Sequence, residues 1–91
     1  MTKREALIEI VVSYGVDRKF YEEILAMMES THPSLALIRE MNPAALERLK
    51  KRVATWAGDM AEETRTLEGR EAFKARLRGT MQRAADKARQ N

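Results

Sequence analysis

Side chains able to make and break bonds are few in this chain and badly spaced for the task. The one histidine, His32, stands directly before Pro33, and there is no cysteine. Zinc and redox centres draw on clustered His and Cys, so a metal would have to be held by carboxylates alone. His32 reads as a loop or cap residue and not as a ligand or general base. Glu22-Glu23 and Glu62-Glu63 are adjacent pairs; neighbours on a helix point about 100° apart, so neither pair converges into an acid/base dyad. Ser13, Ser30 and Ser34 have no nearby base and no Gly-rich elbow, and no glycine loop is placed to cradle a phosphate. The expectation is a protein that is not an enzyme and carries neither metal nor cofactor.

What remains is binding by charge and apolar contact, and that capacity is concentrated at one end. The net charge is +3, yet residues 1–30 hold four Lys/Arg against six Asp/Glu, residues 31–64 hold five against five, and residues 65–91 hold eight against three. Within the last third, Phe73, Leu77, Met81, Ala84 and Ala88 recur at helical spacing and define an apolar stripe. Arg65, Arg76, Arg83 and Lys87 flank it on one side, and Arg70, Lys74, Arg78 and Arg89 on the other. A stripe bordered by cations can dock on a protein with an acidic surface, on nucleic acid or on anionic headgroups. Ala84 and Ala88 bury little area on a membrane and suit close approach of another helix, so a protein is the preferred partner. The expected partner-binding residues are Arg70, Phe73, Lys74, Arg76, Leu77, Arg78, Met81, Arg83 and Lys87.

The elements that must carry these residues are helical. The chain of 91 residues is 44% hydrophobic and 34% charged, with six Met and few aromatics, a composition that folds as one small domain with a modest core. A first helix is expected over 3–14, with Thr2 and Glu5 forming a capping box and Gly15 ending it. Leu7, Ile8, Ile10, Val11 and Val12 make it apolar nearly all round, the mark of a central and most buried helix. Asp17 caps a second over 18–29. A short third is expected over 34–41, and Asn42-Pro43 opens a fourth over 43–63. Leu46, Leu49, Val53, Trp56 and Met60 alternate three and four apart along that fourth helix, an expected oligomer seam with Trp56 as a natural anchor. Glu63 breaks the period, so a kink or turn is placed near 64–69, followed by a fifth helix over 68–89; a single bent helix from Pro43 to Arg89 is the competing geometry.

Helix, Gly15 and helix together resemble the helix-turn-helix family of DNA-binding motifs, with Ile10, Val16, Tyr21 and Ile24 at its apolar positions and Val11 where the pattern has a small residue. The resemblance spans about residues 7–24 and implies that Asp17, Arg18, Lys19 and Glu22 open a recognition helix. The net acidity of residues 1–30 makes a poor surface for phosphates. The fold class expected is therefore all-α, a small bundle of four to five helices ending in a basic amphipathic helix. The function expected is that of a small regulatory or adaptor protein that self-associates and binds a partner protein through its C-terminal helix. The alternative is a small DNA-binding regulator using the hairpin or the basic helix, with nucleic acid as second choice of partner. Leu7 to Val12 is too short for a signal peptide and is interrupted by Glu9, and no apolar run reaches membrane-spanning length, so a cytoplasmic protein without a transmembrane segment is expected.

Overall fold

Local capping chemistry sets where most helices begin and end. In the computed structural model, which describes residues 1–31 and 40–90, the Thr2 hydroxyl accepts from the Glu5 amide at 3.2 Å and starts α1, Lys3–Ser13. α1 closes on Gly15 at φ +105°: the Gly15 amide donates to the Val12 carbonyl at 2.9 Å and the Val16 amide to that of Val11 at 3.4 Å. These two bonds form a Schellman ending, whose positive φ suits glycine. The Asp17 carboxylate accepts from the Phe20 amide at 2.9 Å and caps α2, Arg18–Thr31. The Asn42 side chain accepts from the Ala45 amide at 2.8 Å, and Pro43 occupies the first position of α3, Pro43–Ala54.

The continuous helix expected over 43–63 is two helices. Thr55 turns its hydroxyl back onto the Arg52 carbonyl at 2.8 Å, while the Trp56 amide donates to the Val53 carbonyl at 3.1 Å. These i to i−3 bonds tighten the chain into a turn. After it, α4, Ala57–Glu63, sets off in a new phase that buries Ala57, Met60 and Ala61. Thr64 ends α4, its hydroxyl donating to the Met60 carbonyl at 2.7 Å. The turn expected near 64–69 is found at Thr64–Thr66, and the Thr66 hydroxyl accepts from the Gly69 amide at 3.0 Å at the start of α5, Leu67–Gln90.

The result is a small all-α bundle. α1 packs on α2 and α3, α2 also meets α5, and α4 bridges α3 and α5. Thr2 and Glu40 form an isolated antiparallel bridge beside the start of α3. The core comprises Ala6, Ile8 and Val11 of α1, Val16 of the α1–α2 turn, Phe20, Tyr21, Ile24 and Leu25 of α2, Leu49 and Val53 of α3, and the three buried residues of α4. Thus α2 buries more large side chains than α1, because it lies between α1 and α5 and needs two apolar faces. The helix expected over 34–41 falls mainly outside the described residues, as do His32, Ser34, Leu35 and Ile38. No helix among the described residues is long and apolar enough to cross a membrane.

Candidate docking surface

α5 divides into a half held by the body and a half that leaves it. In the proximal half, Phe73 meets Phe20 of α2 edge to face, ring centroids 5.9 Å apart, and Leu77 packs against the core. The nearby cations are engaged inside the chain. Arg70 donates to the Thr64 carbonyl at 2.9 Å with its guanidinium 5.7 Å above the Phe20 ring. Lys74 pairs with Glu23 of α2 at 2.8 Å, its side chain only 19% exposed. Arg76 pairs with Glu63 of α4 and stands 5.9 Å from the Phe73 ring. These five residues, expected to contact a partner, make contacts within the chain that hold α5 against α2 and α4, with Lys74 paired to Glu23 and Arg76 to Glu63.

Beyond Leu77 no α5 side chain joins the core. Arg78 is exposed, Met81 is half-buried, and Ala84 and Ala88 of the expected stripe are exposed. The polar contacts on this stretch stay within the helix: Arg83 to Thr80 at 3.3 Å, Gln82 to Asp86 at 3.1 Å and Arg89 to Asp86 at 3.5 Å. Lys87 has no counterion among the described residues. Of the expected partner-binding set, Arg78, Met81, Arg83 and Lys87 are the members with no ion pair or core packing outside their own helix among the described residues.

The helices also enclose an open apolar groove of about 760 Å³. Its floor is Ile24, Leu25, Leu49, Val53 and Met60; its walls are Leu7 of α1, Met28 of α2 and Phe73 and Leu77 of α5, with Trp56 at the lip. Within the expected oligomer seam, Leu49, Val53 and Met60 are therefore core residues, Leu46 packs against the core, and only Trp56, 37% exposed, still faces outward. Trp56 faces outward because it stands in the turn between α3 and α4 and not on either helix. At the rim, Arg4 pairs with Glu29 at 3.0 Å and Arg76 with Glu63, whereas Lys3, Arg52 and Asp59 carry no ion pair among the described residues. This groove had no signal in the linear pattern, because its residues converge from five helices.

Tyr21, on the groove, is buried, and burial pushes its phenol up to about 12. The unfolded chain ionises such a group near 10, so this phenol's contribution to stability is complete below pH ~10 and is lost as pH rises through ~12. An alkaline denaturation series should show a loss on the order of 2 kcal/mol across that window, and Tyr21→Phe should remove that part of it.

The groups considered for chemistry stay apart. Glu22 pairs with Arg18 at 3.0 Å and Glu23 with Lys74, while Glu62 is exposed and Glu63 is taken by Arg76. The hydroxyls of Ser13 and Ser30 donate to their own helix carbonyls, those of Ile10 and Met27. Among the described residues no group of three or more His, Asp or Glu could hold a metal. At the hairpin, the Asp17 carboxylate is used as a cap and Arg18 is paired along its own helix. Compared with protein-family models, curated proteins and solved structures, the chain matches none.

Proposed function

We propose that this chain is a non-enzymatic interaction module, a small regulatory or adaptor protein that binds another protein through the distal half of α5. One observation carries the reading: past Leu77 the helix continues for some three turns with Arg78, Met81, Arg83 and Lys87 along it and no contact to the core. A helical stretch of that length is marginal in water by itself, so a surface that receives its apolar side and its cations would stabilise it. Charge of this kind also speeds encounter with an acidic surface.

The test is affinity capture from source-cell extract with the native chain and with the Arg78→Ala, Arg83→Ala, Lys87→Ala chain as baits. The native bait should retain a protein, a further copy of the chain included, that the triple variant loses by roughly tenfold or more. Retention of nothing specific, or equal retention by both baits, sinks the reading. Salt-sensitive retention of random duplex DNA by the native chain, lost in the same variant, would favour the DNA-binding alternative.

A further inference from the structure

We infer that the distal half of α5 seats in the apolar groove of a second copy of this chain, each copy giving its helix and receiving the other's. The inference rests on the reading of α5 as a docking element and names its partner. α5 is an unbroken helix from Leu67 to Gln90, so its distal half cannot fold back into the groove that its own Phe73 and Leu77 line. A second molecule can occupy that space. The thirteen residues 78–90 span about 20 Å as a helix, comparable with the 21 Å short dimension of the molecule. The stripe runs without interruption from the groove wall, through Leu77, to Met81, Ala84 and Ala88 outside it. Met81 supplies an adaptable apolar side chain for the groove floor, and the two alanines let the helix backbone come close.

Charge favours the same occupant. Residues 1–77, the body with the proximal half of α5, carry thirteen Lys/Arg against thirteen Asp/Glu, whereas residues 78–90 carry four against one. The projecting helix is net basic and the body neutral overall, so the attraction between copies lies where the body's carboxylates are grouped. The rim sets the direction. α4 holds Asp59, Glu62 and Glu63 and no cation, and neither Asp59 nor Glu62 has an ion pair among the described residues. Lys3 and Arg52 stand at the α1 and α3 edges. Arg83 and Lys87 of the incoming helix therefore fall along α4. Every copy carries both the helix and the groove, so the exchange closes as a two-fold dimer.

Light scattering coupled to size-exclusion chromatography of the full chain, run over a wide dilution series, tests this. The expected mass is twice that of the chain, with Trp56 fluorescence, from the only tryptophan, shifted to the blue in the dimer relative to the diluted monomer. Met81→Glu with Ala84→Glu lies off the core and leaves the monomer helical by circular dichroism. It should weaken the dimer by on the order of a hundredfold, since it would bury charge in the groove. Arg83→Glu with Lys87→Glu should weaken it about tenfold, as should Asp59→Lys with Glu62→Lys, and all four together should restore it. A monomer at every concentration, a dimer indifferent to the stripe variant, or charge reversals that the combined chain does not rescue would overturn the inference. A monomeric chain that still captures a different protein through Arg83 and Lys87 would overturn it while leaving the interaction-module reading in place.

Discussion

Gly69→Ala should lower stability by about 3 kcal/mol, at the upper end of what overpacking costs, and should drop the melting temperature by roughly 12–24 °C for a chain of this size. A Cβ at this position would overlap the Glu63 carbonyl oxygen and lie 3.0 Å from its carbonyl carbon. Those are backbone atoms and cannot rotate aside, so the first turn of α5 must lift off the end of α4. Lifting it strains the Thr66 cap, the Arg70 bond to the Thr64 carbonyl, the Arg76–Glu63 pair and the contact of Phe73 with Phe20. Gly58 supplies the control. A Cβ there meets nothing within 4 Å, and Gly58 sits inside α4, so Gly58→Ala should raise stability by about 0.5–1 kcal/mol. The same substitution should thus act with opposite sign eleven residues apart. Thermal unfolding followed by circular dichroism decides it, and equal melting temperatures for the two variants would show that α4 and α5 do not meet as closely as described.

Ile24→Ala should cost about 2–5 kcal/mol. Ile24 is 2% exposed and forms part of the groove floor between α1, α3 and α5. Its removal forfeits transfer free energy and leaves a void that a packed helical floor fills only in part. A domain of this length has a total stability of roughly 5–14 kcal/mol, so the loss is a large share of the whole. Urea unfolding should show a lower midpoint with an unchanged slope, because the surface exposed on unfolding hardly alters. Leu67→Ala is the matching test on the outside: Leu67 is 74% exposed, and its truncation should stay within about 0.5 kcal/mol. A loss at Ile24 no larger than at Leu67 would remove Ile24 from the core.

Helix starts and stops were largely legible in the residues. Thr2, Asp17 and Asn42-Pro43 act on amides two or three positions away, and Gly15 acts on its own φ, so each carries its instruction within one turn of chain. Glu63 interrupting an apolar period likewise marked the turn that separates α4 from α5. The break at Thr55 was not legible, because an apolar spacing that continues through a residue does not reveal that the residue's hydroxyl will take the Arg52 carbonyl. That one bond decided whether Trp56 lies in a seam or at a lip. The cations of α5 were legible as a set, but their partners were not: Lys74 and Arg76 find Glu23 and Glu63 across 51 and 13 residues of chain, separations that no local pattern encodes.

By itself the amino-acid order determined that this chain is helical, where most of its helices begin, and that its cations gather in the final third, because capping, periodicity and charge are properties of neighbouring residues. Tertiary structure alone decided which half of α5 is occupied with its own body and which half is left over, and it alone assembled an apolar groove from five separate helices. Both depend on distances between residues far apart in the chain, which are set only when the apolar faces pack together and exclude water.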